Sequence, residues 1–315
     1  MRIKRVCMAA MMAAMISASG ALAGSVWQSA HFRDHELVGK IYASPDRQQL
    51  TLDEVKQQAA KARFVLLGEI HTNPDHHRLQ ADILQYMVDQ GRRPAVVIEM
   101  ITRAQQPVLD FFAANPTGNA DDIAARLEWA KSGWPDFAMY KPIFEIALKH
   151  DLALRAGNLE KSTIRRLGGR VGTKLTVAER AQLGLDKPFP AETASSQLKE
   201  IAESHCNMMP ETVLPRMVDI QRARDYVMAS ALMDPSNKDG AVLIAGAGHT
   251  RLDWGVGYII ERDEPGTVLS LAFREVFEGA TEADFGKPAH HVAIVTPRSE
   301  IKDHCAVFRK NKKKT

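Results

Sequence analysis

Two short apolar runs in this chain end in the same four-residue pattern. Phe64-Val65-Leu66-Leu67 leads into Gly68-Glu69-Ile70-His71, and Ala241-Val242-Leu243-Ile244-Ala245 leads into Gly246-Ala247-Gly248-His249. Each run reads as a strand buried on both faces, continuous in apolar residues and stopped by glycine. In an open α/β sheet, ligands gather just beyond the carboxyl ends of the strands. If the two strands are parallel neighbours, both histidines stand at one mouth. A third run, Ala95-Val96-Val97-Ile98, ends in Glu99. Residues 64–98 then form a βαβ unit, whose right-handed crossover returns the second strand parallel to the first. The expectation is one pocket holding His71, Glu99 and His249, with Glu69 at its rim. Gly68, Gly246 and Gly248 are read as residues that permit tight turns there.

The rest of the chain alternates in the same way. Leu79, Ile83, Leu84 and Met87 predict a helix from about Pro74 to Gln90, stopped at Gly91. A helix over 104–114 follows, then a helical insertion over 120–150 and a third strand at Leu152–Ala156. Residues 160–210 are polar with weak periodicity and read as helices and a cap beside the mouth. Pro210-Glu211 opens a long helix to about Met233, with Val213, Met217, Ile220, Val227 and Met228 as its apolar stripe. A short helix at 256–261 and strands at 267–273 and 292–295 complete the chain. This order predicts an α/β fold: a mostly parallel open sheet, helices on both faces, and a helical insertion or cap.

The first 23 residues are read as a cleaved secretory leader rather than as fold. Arg2, Lys4 and Arg5 precede an apolar run that ends at Ala21-Leu22-Ala23. That run is too short to span a bilayer as a helix, and no lipobox surrounds Cys7. The expectation is a periplasmic or secreted chain beginning at Gly24, folded as one domain over 24–315 with its core at about 45–300. The whole chain has 41 basic and 38 acidic side chains. The leader takes three of the bases and no acid, so the remainder is balanced. The tail 309–315 holds five more bases, which leaves the body net acidic and argues against nucleic-acid binding. The tail itself reads as a solvated end; contact with anionic lipid or a partner is the sharper alternative.

Several residue types can carry chemistry. One polar side chain at a strand end caps a turn more often than it works. Glu69, His71, Glu99 and His249 at three strand ends tilt the reading towards a site. A histidine beside a carboxylate has its tautomer fixed and its basicity raised. The set suits acid/base chemistry or a weak metal site. It lacks the His-Glu-x-x-His of zinc proteases and the Gly-x-Ser-x-Gly of serine hydrolases. His76-His77 opens a helix and reads as exposed or hydrogen-bonded at its N-terminus, and His290-His291 reads as structural. Arg224-Asp225 is either a buried pair or a solvated face. A cation near the mouth would suit a carboxylate or propionate. Cys206 and Cys305 remain once the leader is removed, an even pair in an oxidising compartment, and predict a disulfide. The alternative, a Cys₂His₂ zinc site with His205 and His304, lacks the usual ligand spacing. Covalent c-type haem attachment is excluded by the absence of Cys-x-x-Cys-His.

Taken together, Gly68–His71, Val97–Met100, Trp134–Ile143, Gly157–Leu159, Gln221–Met228 and Gly246–His249 with Asp253–Val256 resemble the ChaN family of haem-binding proteins, in the Tiki superfamily. The resemblance covers roughly residues 45–300. It implies an α/β fold, a bacterial surface or periplasmic location, and a role in haem or iron uptake. It also implies haem as cofactor, homodimerisation, and an outer-membrane haem or iron receptor as partner. Known members bind haem through a tyrosine. The flanking motif makes Tyr140 the matching position, with Asn158 and Arg224 as further cofactor-binding residues. The wider superfamily includes erythromycin-esterase-like hydrolases and metal-dependent proteases. By that likeness Glu69, His71, Glu99 and His249 would form a catalytic set, with a divalent metal or by acid/base chemistry alone.

Overall fold

The computed structural model describes residues 27–115, 117–169, 174–303, 305, 306 and 309. The expected leader, residues 1–23, and the basic tail beyond Arg309 lie outside them. In chain order the elements are β1 (Ile41–Ala43), α1 (Leu52–Lys61), β2 (Phe64–Glu69), α2 (Pro74–Asp89), β3 (Ala95–Thr102), α3 (Gln106–Ala114), α4 (Ala120–Arg126), α5 (Trp129–Ser132), α6 (Phe137–Lys149) and β4 (Leu154–Asn158). There follow α7 (Lys161–Leu167), α8 (Val177–Gln182), α9 (Ala191–Ser204), α10 (Leu214–Leu232), β5 (Ala241–Gly246), α11 (Val256–Asp263), β6 (Val268–Glu275) and β7 (Val292–Thr296).

The strands form one sheet in the order β1-β7-β6-β2-β5-β3-β4. Only β1, at the edge, runs antiparallel to its neighbour. Alternate residues enter opposite layers. Val65, Leu67, Val96, Ile98, Val242 and Ile244 pack under α1, α2 and α6, while Phe64, Leu66, Val97, Leu243 and Ala245 pack under α10 and α11. Burial on both faces is why these strands are apolar throughout rather than alternating. No described helix is long and apolar enough to cross a membrane.

The register fixes the site. β5 lies between β2 and β3, with Glu69 level with Gly246 and Ile98 level with Ile244. Both Gly-x-x-His turns and Glu99 therefore leave the sheet at the same edge.

Local differences from the expected elements have local causes. The insertion over 120–150 is three helices, because Glu128 and Gly133 take left-handed backbone at φ 51° and 91° and break it. β4 lies two residues later than expected, ending on Asn158. The long helix starts at Leu214. Its buried face carries Leu214, Ala223, Val227, Met228 and Leu232, whereas Val213, Met217 and Ile220 are only partly buried and stand off the sheet. The edge strand β1 was not expected; it is three residues long, below what periodicity can register.

Candidate functional site

Glu69 ends β2 on the same face as Val65 and Leu67, so its side chain turns inward beneath α2 and α6. It is 2% exposed, inside the site and not at a rim. Its Oε1 accepts 2.8 Å hydrogen bonds from His71 Nδ1 and from the Tyr140 hydroxyl. Its Oε2 lies 3.1 Å from Nδ1 of His77. Burial alone would raise the Glu69 pKa, but His77 and His71 outweigh it and hold the carboxyl well below the usual range.

His77 belongs to the site, against the expectation of exposure or simple helix-end bonding. It is fully buried. Its Nε2 donates to the carbonyl of His71 at 2.9 Å. Gln80 donates its amide to the Leu67 carbonyl, which turns Gln80 Oε1 towards His77 Nδ1 at 3.2 Å. Every atom facing the two ring nitrogens is an acceptor, so the imidazolium form is the one this cage satisfies. Burial opposes that form, and the Glu69 charge overcomes it and raises the pKa.

The second half is built on Glu99. Its Oε1 accepts from Arg224 Nη2 at 2.5 Å and lies 3.3 Å from His249 Nε2. Its Oε2 accepts the Gly246 N–H at 2.7 Å and lies 3.8 Å from His71 Nε2. Asn158 donates to the Glu99 carbonyl at 2.8 Å and accepts from Arg224 Nε at 3.0 Å, so it positions the pair. His249 Nδ1 meets Asp225 Oδ1 at 2.5 Å, with the Gln221 carboxamide 2.9 Å from the same nitrogen. Burial lowers the His249 pKa, but Glu99 and Asp225 raise it to about 9. Burial raises Glu99 too, and is outweighed by His249 and Arg224, which hold it far down. Arg224-Asp225 is thus neither a solvated face nor a mutual pair: each residue serves a different member of the site.

His71 joins the halves. Its ring is 31% exposed, against 2% for Glu99 and 7% for His249. Trp134 stacks edge-on against it, with ring centroids 5.0 Å apart. Burial lowers its pKa, and the bond to Glu69 and the charge of Glu99 raise it overall. A Cβ at Gly246 would come within 3.0 Å of His71 Nε2. Gly68 has a different function from the tight turn expected of it. A Cβ there would lie 2.2 Å from Thr250 Oγ1 and 2.9 Å from the Ala247 Cα, so the two motifs touch through its missing side chain.

The remaining histidine doublets hold the turns in place. His76 Nδ1 accepts the Ile70 N–H at 2.8 Å. His290 Nε2 lies 3.1 Å from both the Ala247 carbonyl and Thr250 Oγ1. Cys206 and Cys305 form a disulfide.

The site does not suit a metal. Among the described residues no group of three or more His, Cys, Asp or Glu side chains is placed to hold one. Glu99 is already bound to a guanidinium, which would repel a cation. Tyr140 does not suit iron ligation either. It is fully buried, its hydroxyl is spent on Glu69, and burial together with that carboxylate pushes its pKa far above 10.

Residues 55–260 match the family model described as haem-binding uptake, Tiki superfamily, ChaN. The match spans well over half of the chain, which belongs to this family. Among solved structures, ChaN of Campylobacter jejuni, described with cofacial haem binding, is similar over 81% of this chain and 95% of its own, with 19% identity and a TM-score of 0.63. The type III effector HopBA1 matches over 78% of this chain and 93% of its own, at 12% identity and a TM-score of 0.43. An erythromycin esterase, EreC, in its open conformation matches over 84% of each chain, at 12% identity and a TM-score of 0.40. No curated protein matches the sequence.

Proposed function

We propose that this is an exported haem-binding protein that serves haem or iron acquisition in the periplasm. The observation that carries the reading is the family match over 55–260, which takes in all of β2, β3, β4 and β5 and every member of the strand-end cluster. The disulfide supports export, since such bonds persist in oxidising compartments. In this reading Glu69, Glu99 and their partners form a rigid polar floor, and haem is bound elsewhere on the chain. Cofacial binding in the Campylobacter protein makes two haems between two copies the arrangement to look for. The test is a hemin titration of the chain from Gly24, followed by Soret absorbance with mass measured in parallel. A saturable transition with dimerisation supports the reading. Absence of a saturable Soret change rejects it.

A second reading has its own observation. His71 is the most exposed acid or base of the cluster, and its Nδ1 is held by a buried carboxylate. That is the geometry of an acid/base histidine, which would take a proton from water attacking an ester and return it to the leaving alcohol. In that case Glu69 orients the ring, while Glu99 and His249 set its charge. Hydrolysis of model esters that disappears in His71→Ala, with hemin affinity unchanged, would establish it. Absence of any hydrolysis by the parent chain would reject it.

A further inference from the structure

Ala272 of β6 and Ala293 of β7 lie level in adjacent strands and line one cleft. Side chains alternate across a strand. On the opposite face the level pairs are Leu271 with Val292 and Phe273 with Ile294, all packed as core. Two methyl groups make a low floor, and a cleft of about 360 Å³ stands over it, walled by α9, the turn after β5 and the loop before β7. That volume falls within the range of small-molecule sites, which runs from roughly 300 Å³ upward. The two loops are tied together by backbone, because the Leu252 N–H donates to the Ala289 carbonyl at 2.8 Å.

The wall carries Arg251, Arg274 and Lys287 against Glu200, Asp253 and Asp284, so its charges sum to zero. His290 adds none. Burial, helped by the charges of Arg251 and Arg274, depresses its pKa to about 4. The charges are unequally engaged. Arg251 forks onto both oxygens of Asp253 at 2.8 and 2.6 Å and lies 3.6 Å over the Trp254 ring, which closes that pair on itself. Arg274 and Lys287 make no ion pair and no side-chain hydrogen bond among the described residues. Of the acids, Asp284 uses only Oδ2, which accepts from the Thr281 N–H and hydroxyl at 2.9 and 3.0 Å. Glu200 has one distant contact, 3.8 Å from Arg251.

Arg274 is the residue to which this site is built. It stands near the carboxyl end of β6, a strand parallel to both neighbours, where α/β sheets collect ligands. It is exposed, and the protein around it and the charge of Arg251 lower its pKa. Its planar fork of donors matches a carboxylate. A ligand with several negative charges would meet the three acids of the wall. A ligand with one charge of each sign satisfies both sets of unspent groups.

We propose that the cleft binds a small zwitterion with the chemistry of an α-amino acid, its carboxylate on Arg274 and Lys287 and its ammonium on Asp284 and Glu200. The inference does not rest on the haem-binding reading.

The test is calorimetric titration of the chain from Gly24 with L-alanine, L-leucine and L-phenylalanine. Each is compared with the acid that lacks its amino group and the amine that lacks its carboxylate. At least one amino acid should saturate the protein and bind at least tenfold more tightly than either truncated compound. Arg274→Gln should weaken it at least tenfold, and Arg274→Lys, which keeps the charge and loses the fork, should fall between. Lys149→Glu, an exposed reversal on α6, should stay within twofold. Folding is checked by far-ultraviolet circular dichroism, and Lys287→Gln, on a loop, supplies the same reading if Arg274→Gln does not fold. No saturation by any of the three at millimolar concentration would overturn the proposal. So would equal affinity for a truncated compound, or binding that Arg274→Gln and Lys287→Gln leave unaltered.

Discussion

The Tyr140 hydroxyl and the His71 Nδ1 both donate to the same oxygen of Glu69, at 2.8 Å each. A tyrosine used in this way is a structural donor to a buried anion. Tyr140→Phe should therefore cost about 1.5–3 kcal/mol, the range for a hydrogen bond to a charged group. Urea unfolding should show a lower midpoint at unchanged slope. Hemin affinity should stay within twofold. A folded Tyr140→Phe protein that had lost hemin binding would reinstate this residue as the iron ligand.

The buried histidines make stability peak near neutral pH. His249 is raised in the fold to about 9, so its contribution is complete below its unfolded value of 6.5 and is lost as pH rises through 9. His76 and His290 go the other way. Burial depresses them to about 3 and about 4, so each contributes above 6.5 and loses that contribution as pH falls through those values. Both limbs begin at the same pH. The urea midpoint measured from pH 4 to 9.5 should be greatest at about 6–7. A midpoint rising steadily to pH 9 would contradict the charged state assigned to His249.

The strand ends were legible because parallel strands buried on both faces announce themselves as apolar runs, and a βαβ unit has one hand. The shared edge of His71 and Glu99 follows from that; His249 joins them because β5 also lies between β2 and β3, and Glu69 turns inward instead of standing at the rim. His77 was not legible. It follows His76 in a helix, where adjacent side chains point about 100° apart, and only the angle of α2 against β2 decides which of them meets Glu69. The Val213, Met217 and Ile220 positions are apolar, as their spacing shows, but only partly buried, whereas Val227 and Met228 of the same stripe are core. Periodicity reports that a helix face is covered without saying by what. Gly68 reads as a turn residue because spacing cannot show Thr250, in the turn after β5, resting where its side chain would be.

The two strand-end glycines should differ in their tolerance of alanine. At Gly68 the added carbon meets the Ala247 backbone at 2.9 Å as well as Thr250, and backbone cannot move aside. Gly68→Ala should cost more than the 1–3 kcal/mol usual for overpacking. At Gly246 the carbon meets the His71 ring at 3.0 and 3.3 Å, and that ring is partly exposed and can shift. Gly246→Ala should fold, cost less than Gly68→Ala, and move the His71 titration seen by proton NMR. Equal stability losses would contradict this contact geometry.

Cys206 and Cys305 are 99 residues apart in sequence. Closing a loop of that size removes about 4–5 kcal/mol of unfolded-chain entropy in the simple model, and measured losses run at about 2–5 kcal/mol. Cys206→Ser/Cys305→Ser should lower the urea midpoint accordingly. Unreduced, denatured protein beginning at Gly24 should show no reactive thiol, and two after reduction.

Glu99→Gln looks conservative and should not be. Glu99 accepts from Arg224 at one oxygen and from the Gly246 N–H at the other. A carboxamide offers one acceptor, so its NH₂ must face a donor on one side or the other. Arg224 and His249 are left beside it without their shared counter-ion. Removing one partner of a buried charge pair costs about 3–5 kcal/mol. The His249 pKa should fall, because Glu99 is the largest influence raising it, and the alkaline limb of the stability curve should move to lower pH. Hemin affinity should be nearly unchanged if the cluster is a floor. If His71 works as an acid/base, ester turnover should be lost from the folded variant. A Glu99→Gln protein as stable as its parent, with the same alkaline limb, would mean that Glu99 is not the anion that binds the two halves together.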